Sequence, residues 1–273
     1  MNFTKLEYNH GFAKDKKVLL LGFARSGTSS MIHLVNGLLD NGKKIIGEPF
    51  NPNVDKKRKQ DGDTSYLDLY KQLGLEGVLN IIEKNANGFK HLYSKDFDKY
   101  VKTADILKTG RYNIIYLYRK NALKNAVSLL ISYKSTAWSY LEKEKVLSTK
   151  FKPFNAEEIE SYIFNNNSNI NYFRNYMKKN NIPFLEISYE DVFGDSLTKD
   201  DRRVLLSKIS EYIGGKKEIE KNEVINNFIN NPFEKKLNNL DTYKLIPNID
   251  EINLKLGQKY GYLYSPEIVL NRQ

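Results

Sequence analysis

Four short apolar runs punctuate a chain otherwise patterned for amphipathic helix. They are residues 17–23 (KVLLLGF), 88–93 (GFKHLY), 113–118 (NIIYLY) and 182–188 (IPFLEIS). Each is too short for a core helix and too continuously apolar for a half-solvated strand, so each reads as a strand buried on both faces. A weaker run, 44–47, precedes Glu48. Helical periodicity fills the spaces between, over 28–40, 66–84, 96–108, 121–145 and 156–180. This alternation predicts an α/β fold: three layers around a mostly parallel sheet of four to five strands, with right-handed crossovers. Residues 51–64 (NPNVDKKRKQDGDT) show no apolar period and read as a mobile surface loop, as do 148–155. A helix over 199–213 is stopped by Gly214-Gly215. Beyond it, 216–273 mixes short helical pieces with Asn and Pro breaks. The expected organisation is one α/β domain over 1–215 with a C-terminal helical extension, 216–273, packed on it.

Composition narrows the chemistry. The 273 residues include no cysteine, which removes disulfide frameworks, thiol nucleophiles and cysteine-based metal centres. Three histidines, His10, His33 and His91, are too scattered to suggest a metal site. A hydrophobic share of 40% supports a packed core and excludes wholesale disorder. The longest apolar run is far below the ~20 residues of a membrane span, and the N-terminal stretch is polar, so the chain reads as soluble and cytoplasmic. Lys and Arg number 43 against 33 Asp and Glu, a formal charge of +10. Such an excess suits either an anionic partner or a lysine-rich solvated surface. No nucleic-acid-binding motif accompanies it.

The strongest local signal is strand, tight turn and helix in KVLLLGFARSGTSSMIHLVNGLL. Glycine at the turn lets backbone approach an anion, the free N–H groups of the first helical turn point at it, and hydroxyls add donors. A P-loop-like phosphate cradle is therefore expected; the bland alternative is a strand–glycine–helix turn with no ligand. Gly22 and Gly27 have the five-residue separation of the nucleoside-triphosphate loop G-x-x-x-x-G-K-[ST], but Thr28 stands where that loop has lysine. The cation lies upstream, at Arg25, whose guanidinium suits bidentate contact with phosphate or sulfate.

Ala24-Arg25-Ser26-Gly27-Thr28-Ser29 resembles the [PA]-[KR]-[ST]-G-[ST]-[ST] loop of sulfotransferases that use 3′-phosphoadenosine 5′-phosphosulfate (PAPS). The resemblance implies that Arg25, Ser26, Gly27, Thr28 and Ser29 hold the 5′-phosphosulfate. It also implies that Arg119, after the third strand, and Ser128, nine positions on, hold the 3′-phosphate. That spacing is one longer than the family's commoner one. Further similarity lies in Gly47-Glu48-Pro49-Phe50-Asn51, Gly88-Phe89-Lys90, Ile187-Ser188-Tyr189-Glu190-Asp191, and Trp138 with Phe154 and Glu157-Glu158-Ile159. These point to the bacterial carbohydrate branch typified by trehalose sulfotransferase. The R-K-G-x-x-G-D-W-K segment of phenol and steroid enzymes is missing.

On this resemblance the chain is expected to move a sulfuryl group from PAPS to a hydroxyl of a small-molecule or glycan acceptor, without a metal. Arg25 would stabilise developing charge and Glu48 would act as general base, with His91 the alternative base. For Glu48 the competing reading is a surface turn residue or a partner for a basic side chain, and for His91 a structural strand histidine. Lys90 fits a donor-site cation or a strand-end lysine equally. The aromatic residues over 133–140 and 162–176 sit at helical spacings and read as interhelix packing rather than a sugar-stacking platform. The rival functions are a P-loop kinase or NTPase and a non-catalytic polyanion-binding protein.

Overall fold

A computed structural model describes residues 16–40, 42–93, 98–231 and 239–265. The four apolar runs form strands β1 (Lys17–Gly22), β2 (Gly88–Leu92), β3 (Tyr112–Tyr118) and β4 (Phe184–Ser188). They make one parallel sheet in the order β2-β1-β3-β4. The weak run before Glu48 is reduced to one parallel bridge, Ile46 to Phe89, at the free edge of β2. Ile46 N donates to Gly88 O and Lys90 N to Ile46 O, at 3.0 and 2.9 Å.

The described helices are α1 (Thr28–Leu38), α2 (Pro52–Gln60), α3 (Tyr66–Asn85), α4 (Thr103–Lys108), α5 (Ala122–Ser135), α6 (Lys143–Ser148), α7 (Ala156–Lys179), α8 (Tyr189–Phe193), α9 (Lys199–Tyr212), α10 (Glu223–Asn230), α11 (Leu240–Tyr243) and α12 (Ile249–Tyr260). Short 3-10 turns lie at Tyr140–Glu142 and Ile219–Lys221. Residues 96 and 97 of the helix expected over 96–108 lie outside the described residues; α4 begins at Thr103.

The chain divides into two compact units, residues 1–118 with 171–231, and residues 119–170 with 232–273. The first holds the sheet. Its core joins alternate residues of the strands (Val18, Leu20, Ile115, Leu117, Leu185, Ile187) to Met31, Leu34, Val35 and Leu38 of α1 and Leu205, Leu206 and Ile209 of α9. The i, i+3, i+4, i+7 spacing in α1 is what presents those four side chains together. The second unit has its own core. Leu123, Val127 and Leu130 of α5, Ile159 and Ile163 of α7, and Ile249, Ile252 and Leu256 of α12 meet there with Leu263. Asn248 clamps Phe154 within this unit: its Oδ1 accepts from Phe154 N and its Nδ2 donates to Phe154 O, both at 2.9 Å.

Two expectations are corrected. Residues 52–60, read as loop, are helix α2. Its stability comes from its ends and not from an apolar stripe: Asn51 caps it, proline occupies its first turn, and only Asp55 is buried. The helix expected over 121–145 breaks after Ser135. Thr136 turns left-handed (φ 57°) and Ser135 Oγ donates back to Ile131 O. The Glu142 carboxylate then accepts from the amides of Trp138 and Ser139. Trp138 therefore lies in the irregular segment after α5 and not in a helix.

Candidate functional site

In a parallel sheet, ligands bind beyond the carboxyl ends of the strands, where successive crossovers leave in opposite directions. Here β1 is flanked by β2 on one side and β3 on the other, and the loop after β1 is Arg25-Ser26-Gly27-Thr28-Ser29. Ser26 N donates to Phe23 O at 3.2 Å, closing a tight turn. Arg25 (φ 65°) and Gly27 (φ 82°) are both left-handed. Gly27 is the N-cap of α1, with no side chain capping it and no acidic residue in the first turn. The amides of Thr28 and Ser29 thus open a helix with no carboxylate in its own first turn.

Packing decides the glycines. A Cβ on Gly22 would lie 2.5 Å from Thr28 Cγ2, so the bare strand end is what lets α1 start so close to β1. A Cβ on Gly27 would strike the ring of Tyr189. Ser26 is fully buried and its Oγ has no hydrogen-bond partner among the described residues. A buried hydroxyl left unsatisfied beside an uncapped helix start fits a bound anion, since such groups otherwise cost about 1–3 kcal/mol.

The loop is joined to Glu48 through Lys90. Lys90 Nζ lies 2.5 Å from Glu48 Oε1 and 3.5 Å from Ser29 Oγ. The ion pair is nearly dry, with the two side chains 8% and 14% exposed. Asn51 Nδ2 donates to the other carboxylate oxygen, Oε2, at 2.5 Å. Glu48-Pro49-Phe50-Asn51 is itself a turn closed by Asn51 N to Glu48 O, and buried Phe50 anchors it edge-on against Phe89.

Strand alternation separates the two base candidates. Lys90 is in register with Leu20 and shares its face of the sheet, towards α1, whereas His91 is in register with Leu21 on the other face. His91 packs edge-on against Phe50 and Phe89, with Nε2 3.1 Å from Thr103 Oγ1. Thr103 spends its hydroxyl proton on Asp98 Oδ1, so it accepts from His91, and the imidazole carries its proton on Nε2. Burial holds His91 down at about 4, against the pull of Asp98 and Glu48.

The family follows from the whole sequence. Residues 15–248 match the sulfotransferase domain. The chain belongs to that family. It is a sulfotransferase enzyme, and the α/β fold with a four-stranded parallel sheet and C-terminal helices agrees with that assignment. No curated protein matches the chain. Sulfotransferases use small-molecule or glycan acceptors. No described helix is long and apolar enough to cross a membrane, and the described residues contain no His/Cys/Asp/Glu group suited to a metal ion.

Of the residues expected for this sulfotransferase's site, the structure brings Ser29 of the loop together with Glu48, through Lys90. Arg119 follows β3 directly and Ser128 is buried on α5, both in the second unit. Asn51 had no role in the sequence reading; its signal was Asn before Pro at a helix start. Among the aromatics, Phe173 is buried as expected, but Tyr133 and Trp138 are 52% and 45% exposed, their rings edge-to-face at 5.2 Å.

Proposed function

We propose that this sulfotransferase takes the sulfuryl group from PAPS and transfers it to a hydroxyl of a carbohydrate acceptor, with Glu48 as general base. The observation that carries the reading is the Ser29–Lys90–Glu48 chain, which ties a carboxylate to the anion-binding end of α1. The acceptor hydroxyl gives its proton to Glu48 as its oxygen bonds to sulfur. The bond from sulfur to the bridging phosphate oxygen breaks, and adenosine 3′,5′-bisphosphate leaves. Positioning and charge stabilisation dominate such transfers. Arg25, Lys90 and the first amides of α1 are assigned to the charge on the leaving phosphate and sulfate oxygens. His91 is assigned a structural role, because it is buried on the face of the sheet opposite Lys90, where it packs on Phe50 and Phe89 and bonds to Thr103.

The 3′-phosphate roles of Arg119 and Ser128, and the bacterial carbohydrate branch, rest on the sequence motifs. The missing phenol-type segment favours a sugar acceptor. Thr28 in place of the triphosphate-loop lysine favours PAPS over ATP.

The test is calorimetric titration with adenosine 3′,5′-bisphosphate and, separately, ATP with magnesium. Tighter binding of the bisphosphate, lost in Arg25→Ala together with turnover, supports the reading; preference for ATP restores the kinase alternative. Glu48→Gln should keep bisphosphate affinity near wild type while the transfer rate collapses. Retained rate there, with loss in His91→Ala, reassigns the base.

A further inference from the structure

We infer that Asn51 is the positioning residue of the Glu48 carboxylate, an inference that rests on the base assignment above. Asn51 does two jobs with the two ends of one amide. Its Oδ1 accepts from Asn53 N at 3.0 Å and caps α2, and its Nδ2 donates to Glu48 Oε2 at 2.5 Å. Its backbone N–H closes the 48–51 turn on Glu48 O at 3.2 Å. Among good N-cap residues, aspartate caps but has no proton to give a carboxylate, and serine has a single oxygen for both tasks. Asparagine supplies an acceptor and a donor on separate atoms.

With Lys90 on Oε1 and Asn51 on Oε2, the carboxylate is pinned at both corners, and each oxygen keeps a second lone pair for an incoming proton. A general base must sit within ~2.6–3.2 Å of the group it deprotonates, and displacement by about 1 Å costs on the order of 100-fold in rate. The far side of the cap is also fixed. Buried Asp55 of α2 accepts from Ser65 Oγ and Leu67 N, fastening the helix to the start of α3. The amide is thereby held from behind while it holds the base in front.

The experiment compares Asn51→Asp, which keeps a capping oxygen and loses the donor, with Asn51→Ser as a second capping variant. Each is made in wild-type and Glu48→Gln backgrounds. Release of adenosine 3′,5′-bisphosphate from PAPS is followed with trehalose as acceptor probe, and with water alone. In the wild-type background kcat should fall about tenfold or more, with affinity for adenosine 3′,5′-bisphosphate within about twofold. In the Glu48→Gln background neither substitution should lower the rate further, because both act through one carboxylate. Wild-type kcat in Asn51→Asp and Asn51→Ser, or the same fractional loss in both backgrounds, overturns the positioning role alone. A Glu48→Gln protein as fast as wild type, or wild-type protein that turns over no PAPS, overturns the reading beneath it.

Discussion

A side chain on residue 27 would place its Cβ 2.6 Å from Cδ2 of Tyr189. Tyr189 opens α8, held by a reciprocal cap in which the Ser188 hydroxyl accepts from Asp191 N and the Asp191 carboxylate accepts from Ser188 N. The ring therefore has little room to retreat, and Gly27 is left-handed besides. Gly27→Ala should cost about 1–3 kcal/mol in backbone strain alone. Because it also turns the amides of Thr28 and Ser29, affinity for adenosine 3′,5′-bisphosphate should fall by about tenfold or more. Unchanged affinity in a calorimetric titration would mean that the anion is held elsewhere.

Lys90 and Glu48 stabilise each other only as a pair. Lys90→Met leaves a nearly dry carboxylate without its cation, and stability should drop by roughly 3 kcal/mol. Adding Glu48→Gln should return most of that loss, which urea unfolding of the two proteins will measure. A double variant as unstable as the single one would show that Lys90 matters through its packing.

His91 predicts an acid-sensitive fold. Its native value of about 4 lies below the unfolded 6.5, so between these limits the unfolded chain binds more protons. The stability contribution is complete above pH 6.5 and is lost as pH falls towards 4, by about 3 kcal/mol in all. His91→Gln, which keeps a donor for Thr103, should flatten that part of the stability profile measured by urea melts from pH 4 to 7. An unaltered slope would assign the acid sensitivity to other groups.

The β1–loop–α1 unit was legible because every cue in it is local: an apolar strand, two glycines and a period-3.6 stripe in adjoining residues. Helix α2 was not. Its sequence, PNVDKKRKQ, buries one residue, and the forces that hold it are a cap, Lys59 paired with Asp55 and Asp68, and Arg58 over the Tyr66 ring. None of these leaves an apolar period to read. Glu48 and Lys90 could each be named as candidates, but their pairing depends on the bridge from Ile46 to β2, a register that only the folded sheet decides. Strand alternation separates His91 from its neighbour Lys90: the two point to opposite sides of the sheet.

The Asn248 clamp on Phe154 and the apolar contacts between 122–163 and 249–263 bear on where this protein can be cut. The family match ends at residue 248, whereas Ile249, Ile252, Leu256 and Leu263 all lie inside the second core. Trimming at the match boundary would strip those four anchors, on the order of 6–12 kcal/mol of burial, comparable to the whole stability of about 5–15 kcal/mol that a domain has. Such a shortened protein should lose the cooperative melt of the unit that carries Arg119 and Ser128. The tail is thus a scaffold for the segment after β3, and a boundary drawn from homology alone would sever it.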